Sequence, residues 1–380
     1  MKALVTASSN TAAVQDIPVP EPGPGEIRSK QSLSTSINPV DSLYVAHPVD
    51  DPGRVIGSDV AGIVDKLGHG VTAWAVGDRV AGLLQGATSG NARPGGFAEY
   101  AILEQDLTIR IPSAVSFEEA ATFPLCSLTA AQALFIRLEI PAPFASPFEF
   151  KPPTASRPII LIYSGATSVG LFAIELAKLL RTPAGEPYRI FATASPKNHE
   201  KLKNLGVEAV YDYRSSTWPE DLKKAAGGVS YALDCISEDS STAMISRAFV
   251  DEGGKIAVIR KAAWSKEGIR ENVQPLYGAA WSGLGHEIKY NNEILPASPS
   301  WREFTVAFFK FLSAGSLIDP TVFPISANPI RLMPGGLERI APDGFSLLGY
   351  GKVSDRPSHS DVEEEWMKPI SGEKLVYSIA

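Results

Sequence analysis

Two short stretches of the chain combine small and polar residues in a pattern that suits ligand binding, and the first is "YSGATSVG" at residues 163–170. It lies between the apolar run "PIILI" and the helix-like run "LFAIELAKLL". A turn from strand to helix presents free backbone N–H groups and the positive end of the helix, where phosphate oxygens bind. Gly165 and Gly170 permit a close approach of the backbone, and the hydroxyl groups of Thr167 and Ser168 can bond phosphate. The same residues would equally form a packed joint without a ligand, so this turn alone leaves both interpretations open.

The second stretch, "SPKN" at residues 195–198, follows the next predicted strand, "IFATA". In NAD-binding proteins an acidic residue ends this strand and binds the ribose 2′-hydroxyl group. Here Ser195, Lys197 and Asn198 offer a hydroxyl, a cation and an amide, which suit a 2′-phosphate and favour NADPH over NADH. Tyr213, after the third strand, could pack on or bond the same end of the cofactor. The alternative is a helix start capped by Ser195, with a solvated Lys197 and an exposed loop tyrosine.

Strands and helices alternate along the chain around these stretches. The predicted strands are "PIILIYSG", "YRIFATAS", "VEAVYDY", "VSYALDCIS" and "KIAVIRK", and helix-like runs such as "VGLFAIELAKLL" and "NHEKLKNLG" separate them. Gly206 suits the C-terminal end of the second of these helices. Alternation of this kind predicts an α/β domain with a doubly wound parallel sheet and right-handed crossovers.

The first third of the chain is β-rich instead. Alternating runs such as "EIRSKQSLSTSI" and a Gly-punctuated segment at residues 57–84 predict a small barrel-like β domain. Ser116 with Glu119 three residues later predicts a capped helix start. The final run "EKLVYSIA" is a strand that could rejoin the first domain. We therefore expect a nucleotide-binding domain at residues 126–317, inserted into a β domain formed by residues 1–125 and 318–380.

Composition excludes several classes of protein. The 380 residues carry a formal net charge of −7, which argues against broad nucleic-acid binding. No apolar run reaches the ~18 residues of a membrane span, and no secretory leader is evident, so we expect a cytoplasmic protein with reduced thiols. Two isolated cysteines and histidines without ligand spacing predict no metal site. The residues concerned are Cys126, Cys235, His47, His69, His199, His286 and His359.

With these residues in view, the chain resembles the zinc-independent medium-chain dehydrogenases/reductases. It is most similar to the fungal trans-acting enoyl reductases that partner polyketide synthases, such as the one of the lovastatin pathway. The similarity covers nearly the whole chain, and its motifs occur in the expected order. They are "INPVDS", "GSDVAGIV", "GDRVAG", "GGFAEY", "ATFPLCSLTAAQAL", "YSGATSVG", "ATASPKN", "VYDYRS", "YALDCIS" and "KVS…SGEKLVYSI".

The resemblance implies a GroES-like β-rich domain with an inserted Rossmann domain, and an NADPH whose nicotinamide binds between them. It also implies a set of contact residues. Those expected to bind the cofactor are Asn38, Asp41, Ser42, Gly165, Ala166, Thr167, Ser168, Val169, Ser195, Lys197, Asn198, Tyr213, Ile259, Val353 and Ser354. Those expected to line the substrate channel are Thr129, Ala130, Leu134, Trp281, Gly283 and Gly285.

The reaction implied is reduction of an α,β-unsaturated thioester. Donors aimed at the thioester oxygen would stabilise the charge that develops there. The candidates are the Thr129 and Ser42 hydroxyls, backbone N–H groups and the ribose hydroxyl of the cofactor. Tyr44 could donate a proton, although it could equally be a packed aromatic residue, with water as the acid. The resemblance further implies a monomer whose partner is an acyl-carrier-bound substrate of a polyketide synthase. Lys197, Lys201 and Lys203, or Lys223 and Lys224, could form a basic docking patch or simply solvated helix faces.

Two departures from the family pattern keep other functions open. Leu43 and Tyr44 follow Ser42 where the lovastatin-pathway member has a lysine, and residues 355–370 interrupt the usual "GKVSGEKLVY". The acidic run at residues 363–365 suggests a solvated loop. The alternatives are a free-standing reductase of quinones or enones, and a non-reducing auxiliary or cyclising protein of the same fold.

Overall fold

The computed structural model describes residues 1–89, 93–153, 157–261, 264–290, 293–357 and 362–379. His359 and part of the segment 355–370 therefore lie outside the described residues. The chain divides into two compact units, and each is described by itself. Unit 1 contains Met1–Leu125 and Trp281–Ala380, and unit 2 contains Cys126–Ala280.

The strands of the described chain are numbered in chain order. They are β1 (Lys2–Ala7), β2 (Thr11–Asp16), β3 (Glu26–Ser36), β4 (Asp59–Leu67), β5 (Arg79–Leu83), β6 (Tyr100–Glu104), β7 (Thr108–Arg110), β8 (Ile159–Tyr163), β9 (Arg189–Thr193), β10 (Ala209–Tyr211), β11 (Tyr231–Asp234), β12 (Gly254–Val258), β13 (Val273–Tyr277), β14 (Ile288–Tyr290), β15 (Glu293–Leu295), β16 (Ile330–Met333) and β17 (Lys374–Tyr377).

The α-helices are numbered in the same way. They are α1 (Pro39–Ala46), α2 (Phe117–Ala121), α3 (Pro124–Gln132), α4 (Ser168–Lys178), α5 (His199–Asn204), α6 (Trp218–Ala226), α7 (Ser241–Arg247), α8 (Pro299–Ser313), α9 (Leu337–Arg339) and α10 (Ser346–Leu348). Two π-helical segments, Ala133–Arg137 and Ile340–Phe345, follow α3 and α9. The described helices include none that is both long and apolar enough to cross a membrane.

Unit 2 is built on a parallel sheet with the strand order β10-β9-β8-β11-β12-β13. Neighbouring strands pair in parallel throughout, which confirms the predicted doubly wound domain. All five residues of β8 are buried because helices cover both faces of such a sheet. The order reverses beside β8, the first strand of the unit, so its carboxyl end lies at the switch point where such sheets bind ligands.

Unit 1 is built on a sheet with the order β16-β17-β3-β4-β5-β7, and β6 pairs with β3. The strand β17 pairs antiparallel with β3 and parallel with β16, so the end of the chain joins the sheet begun near its start. This confirms the prediction that the last run is a strand of the first domain. A core that includes Phe97, Phe345 and Tyr377 lies beneath it.

Residues 281–317 group with unit 1, whereas the sequence analysis assigned them to the nucleotide-binding domain. The helix α8 is fastened there by Arg302, which pairs with Glu104 at 2.7 Å and with Asp106 at 2.6 Å. The helical periodicity of α8 shows an apolar face but does not show which domain that face covers. Elsewhere in unit 1 the predicted capping box is confirmed, since Ser116 and Glu119 exchange hydrogen bonds of 2.8 and 3.1 Å.

Candidate active site

The turn between β8 and α4 in unit 2 has the geometry that the phosphate-binding interpretation requires. Side chains at residues 166–169 are half-exposed, while Gly165 and Gly170 are buried. A methyl group on Gly170 would lie 2.8 Å from the Cα atom and the carbonyl oxygen of Gly165, so this position excludes any side chain. Ser164 has a φ of 58°, a left-handed conformation that costs energy in residues other than glycine and concentrates at functional sites.

Main-chain donors line the same turn. Among the described residues, the amides of Ala166 and Val169 donate to no protein acceptor, whereas Gly165 N–H donates to the Thr193 carbonyl at 2.9 Å. The first N–H groups of a helix have no partner within the helix and carry part of its positive dipole. A half-exposed turn whose amides find no acceptor among the described residues, and whose Gly170 leaves no room for a side chain, fits the pyrophosphate of a dinucleotide.

Thr167 has a structural task that the sequence did not reveal. It is the N-cap of α4: its hydroxyl accepts from Gly170 N–H at 3.1 Å and donates to the Ser164 carbonyl at 2.9 Å. Its only proton is therefore used within the turn. The predicted roles of Thr167 and of the half-exposed Ser168 as donors to phosphate stay predictions.

The tip of β9 gathers the residues expected at the 2′-phosphate end. Lys197 is exposed, and among the described residues it has no hydrogen-bond or ion-pair partner. The amide of Asn198 donates to the Ser195 hydroxyl at 3.4 Å, and Ser195 forms no side-chain cap. Tyr213 is 41% exposed and its ring lies edge-on to that of Tyr163 at 6.5 Å.

Two further residues near this tip were missed by sequence reasoning. Arg214 forms an ion pair with Asp212 at 2.9 Å, and His199 contacts the Ala194 carbonyl at 3.0 Å through Nε2. The guanidinium of Arg214 holds the pKa of the Asp212 carboxyl below its usual range. The arginine directly after Tyr213 in "VYDYRS" was the available signal.

The end of β11 is organised by Asp234, another residue that sequence reasoning missed. Its fully buried carboxylate accepts hydrogen bonds from the Ser237 amide at 2.7 Å and from the Ser241 hydroxyl at 2.6 Å. Burial raises the pKa of this carboxyl, and these hydrogen bonds oppose the rise. Ser237 in turn accepts from the Ile259 amide at 2.9 Å, so Asp234 fixes the segment after β12 where Ile259 was expected to meet the cofactor. The signal was a carboxylate at a strand end, in "YALDCIS".

The expected substrate residues of unit 2 fall into two groups. Thr129 is half-exposed in the last turn of α3. Ala130 and Leu134 have no accessible surface and pack in the core, so their expected contact with substrate stays a prediction. The hydrophobic character of the helix suggested a channel wall, but a fully buried helix has the same composition.

In unit 1, the "NPVD" motif belongs to a buried polar network. Lys374 Nζ lies 2.8 Å from Asp59 Oδ2 and 2.9 Å from Asn38 Oδ1. The side-chain amide of Asn38 also donates to Asp59 at 2.8 Å. The Asp41 carboxylate accepts from the main-chain N–H of Asn38 and from the Ser58 hydroxyl, both at 2.8 Å, and closes the first turn of α1. Burial raises the pKa of Asp41 to about 7.

These contacts bear on the predicted roles of three residues. Asn38 is 2% exposed, and Asp41 and Ser42 are fully buried, so all three serve the packing of unit 1 in this arrangement. The Ser42 hydroxyl donates to the Gly349 carbonyl at 2.6 Å, which uses the proton that a role in catalysis would need. Their proposed contacts with cofactor stay predictions.

The remaining expected residues of unit 1 differ in exposure. Tyr44 is 3% exposed, as a packed aromatic residue would be. Trp281 is buried, and Gly285 adopts a φ of +79° against Arg302, where a methyl group would lie 2.7 Å from Cβ. Gly283 is buried in the same 3₁₀ turn. Val353 is half-exposed and Ser354 exposed, in a short 3₁₀ turn closed by Asp355.

The described part of the segment 355–370 is anchored to unit 1. Arg331 donates to the carbonyls of Trp366 at 3.1 Å and Pro369 at 3.2 Å, and Trp366 packs on the core beneath β17. Residues 363–365 are exposed, as expected for a solvated acidic run. The described residues bring no group of three or more His, Cys, Asp or Glu side chains together as a metal site would require.

Comparison with known proteins gives the family. Residues 26–113 match the family described as "Alcohol dehydrogenase GroES-like domain". The chain is 32% identical to "Trans-enoyl reductase ACTTS2" of Alternaria alternata over 355 residues, which cover 93% of this chain and 96% of that one. It is 30% identical to "Trans-enoyl reductase buaC" of Petromyces alliaceus over 376 residues, covering 95% and 92%.

Solved structures agree on the fold. An alcohol dehydrogenase superfamily protein from Novosphingobium aromaticivorans matches with a TM-score of 0.74 and 20% identity over 100% of both chains. The CurK enoyl reductase matches with a TM-score of 0.72 and 20% identity, over 100% of this chain and 99% of that one. The chain thus belongs to the family of fungal trans-enoyl reductases, which are oxidoreductases acting on carbon–carbon double bonds.

Proposed function

We propose that this chain is a trans-acting enoyl reductase that uses NADPH to reduce the α,β-double bond of an acyl thioester carried by a polyketide synthase. The observation that carries the proposal is the half-exposed turn after β8, with its free amides and its irreplaceable Gly170. One strand later the chain presents an exposed Lys197, which has no ion-pair partner in the described part of the chain, instead of a carboxylate. Membership in the family supports the class of reaction.

NADPH, when bound, would supply the hydride that the β-carbon of the thioester accepts. The amides of Ala166 and Val169 would donate to its pyrophosphate, and Gly170 would keep the helix start close to the strand. Lys197 with Ser195 and Asn198 would bind the 2′-phosphate. These residues orient the cofactor, and the acidic residue that would select NADH is missing from the tip of β9.

Reduction places negative charge on the thioester oxygen, so a donor aimed at that atom contributes most to the rate. Thr129 is the candidate in unit 2, because its side chain is half-exposed at the end of α3. Ser42 could act only after its hydroxyl leaves the Gly349 carbonyl. Tyr44 is buried, which favours water as the source of the α-proton.

The first test is binding. Protein fluorescence should report tighter binding of NADPH than of NADH, because only NADPH carries the phosphate that Lys197 suits. Equal affinity for the two cofactors would contradict the assignment of NADPH and leave the reductase itself to be tested by turnover.

The second test is turnover. The purified chain should oxidise NADPH in the presence of a short α,β-unsaturated pantetheine thioester, with a saturated thioester as the product by mass spectrometry. Oxidation with simple quinones or enones, unaffected by thioester attachment, would favour the free-standing reductase. Binding of NADPH without oxidation by any acceptor would favour the non-reducing descendant.

A further inference from the structure

Arg137 is a buried cation in unit 2 to which the sequence analysis gave no role. Its residue is 6% exposed, and among the described residues it forms no ion pair with a carboxylate. Removing a guanidinium from water without a counter-ion is costly, and burial lowers the pKa of Arg137 to about 10. A group retained at such a cost needs an explanation from its contacts.

The contacts of Arg137 join two segments of the candidate site. One terminal nitrogen, Nη1, donates to the Val258 carbonyl at 2.6 Å, and Nη2 donates to the Thr129 carbonyl at 3.4 Å. Thr129 is the candidate donor to the thioester oxygen. Val258 ends β12 and directly precedes Ile259, the residue expected beside the nicotinamide. The guanidinium of Arg137 therefore connects the helix that carries Thr129 to the strand end that precedes Ile259.

Arg137 is the last residue of a π-helical segment. α3 passes into this segment, Ala133–Arg137, where the Leu138 amide donates to the Ala133 carbonyl at 3.0 Å. The guanidinium reaches back to the Thr129 carbonyl, eight residues earlier in the chain. π-Turns within α-helices occur frequently at functional sites.

The rigid planar fork of a guanidinium suits this task better than an ammonium would, because it can bind two acceptors at a fixed separation. Another of its five N–H donors, that on Nε, has no partner among the described residues. A second hydrogen bond, from the Ile259 amide to the Ser237 hydroxyl, holds the same strand end and does not involve Arg137. Loss of Arg137 would therefore loosen the relation between Thr129 and Ile259 without releasing the strand end altogether.

We propose that Arg137 is a positioning residue that sets the relation between Thr129 and the nicotinamide end of the cofactor site, a role that rests on the proposed function. It contacts neither cofactor nor substrate. Its effect is on the geometry of hydride transfer, and a misplacement of about 1 Å there can cost on the order of 100-fold in rate.

The test compares Arg137→Met and Arg137→Lys with a matched control, Arg270→Met. Arg270 lies in the same unit and also binds main-chain carbonyls, those of Phe249 at 3.0 Å and Asp251 at 2.9 Å. These two residues precede β12, so Arg270 acts at the start of the strand, whereas Val258 lies at its end. Each variant is assayed for thermal stability, for the affinity of adenosine 2′,5′-bisphosphate, for the fluorescence of the nicotinamide in bound NADPH, and for turnover of the pantetheine thioester.

Arg137→Met should lower kcat roughly 10-fold to 100-fold with KM for the thioester little changed. It should also reduce the fluorescence enhancement of bound NADPH, while the affinity for the bisphosphate, which lacks a nicotinamide, stays within about twofold. Arg137→Lys should fall between Arg137→Met and wild type. Arg270→Met should lower thermal stability only.

A common profile for Arg137→Met and Arg270→Met, or wild-type fluorescence and kcat in Arg137→Met, would overturn the proposal. If Arg137→Met does not fold, Arg137→Lys decides by the same two measurements. If the wild-type protein binds NADPH but no unsaturated thioester causes its oxidation, the proposed function is contradicted instead. The fluorescence comparison would then still decide the role of Arg137.

Discussion

The two polar motifs of this chain, "NPVD" in unit 1 and "YSGATSVG" in unit 2, have opposite surroundings. In unit 1 Asn38 hydrogen-bonds to Asp41 and Asp59, and Lys374 bonds to Asn38 and Asp59. All four residues are nearly or fully buried. In unit 2 the turn is half-exposed, and the amides of Ala166 and Val169 have no acceptor among the residues that the structure describes. Polar groups that satisfy one another stabilise a fold, whereas polar groups left unsatisfied at a surface are available to a ligand.

The comparison predicts that removing one member of the buried network in unit 1 mainly lowers the free energy of unfolding. Lys374→Met should lower the free energy of unfolding by roughly 3–5 kcal/mol, because it leaves the carboxylate of Asp59 buried without its cation. Urea denaturation measures the change. The control is Lys255→Met, which removes an ion pair with Glu139 that is partly exposed and should cost a small fraction of that value. Similar losses in both variants would break the comparison.

The pH dependence of stability tests Asp41 within the same network. Burial raises the pKa of Asp41 from 3.8 to about 7, so the folded state favours the protonated carboxyl. The stabilisation from this group is fully present below about pH 4 and is lost as the pH rises through 7. Wild type should therefore lose roughly 3 kcal/mol relative to Asp41→Asn over this interval, as measured by urea denaturation at several pH values. A constant difference between the two proteins would show that Asp41 is ionised throughout.

Gly170→Ala tests the turn of unit 2, where the added methyl group would lie 2.8 Å from the backbone of Gly165. The cost should be about 1–3 kcal/mol, together with weaker binding of NADPH, because the start of α4 must move. Gly165→Ala is the graded control: its methyl group would contact the side chains of Ala192, Ile174 and Leu202 at 3.0–3.4 Å, and side chains can shift. A larger effect of Gly165→Ala on fluorescence titrations would contradict this geometry.

Lys197→Met should have the smallest effect, and this effect should be confined to the affinity for NADPH. The affinity for NADPH should fall about tenfold, which corresponds to about 1.4 kcal/mol, with the affinity for NADH and the stability unchanged. Lys203→Met, an exposed lysine on the following helix, is the matched control. Equal losses for NADPH and NADH would remove Lys197 from the 2′-phosphate site and restore its interpretation as a solvated side chain.

The sequence predicted the parallel sheet and the strand–turn–helix unit of β8 and α4 well, because both depend on residues close together in the chain. The apolar run of β8, the glycines and the helix that follows are contiguous, so periodicity and turn chemistry suffice. The motifs also identified the family, which the comparisons confirm.

The sequence could not predict which polar side chains are used up by the fold. Asn38 belongs to a recognisable motif, but its partner Lys374 comes 336 positions later in the chain. The cap formed by Thr167 and the turn of Arg137 toward Val258 likewise depend on backbone geometry. For α8, an apolar face was evident, but the ion pairs that fasten it to unit 1 were not.

The pairing of β17 with β3 also sets an order of events during synthesis. Every strand of unit 2 has been made before β17 exists, so unit 2 can complete its sheet while unit 1 still lacks its closing strand. Until then β3 has an open edge and Asp59 has no cation. Contacts of such long range form slowly. The nascent protein therefore passes through a stage with one finished domain and one open sheet edge, and this edge is where proteolysis or aggregation of the newly made chain would begin.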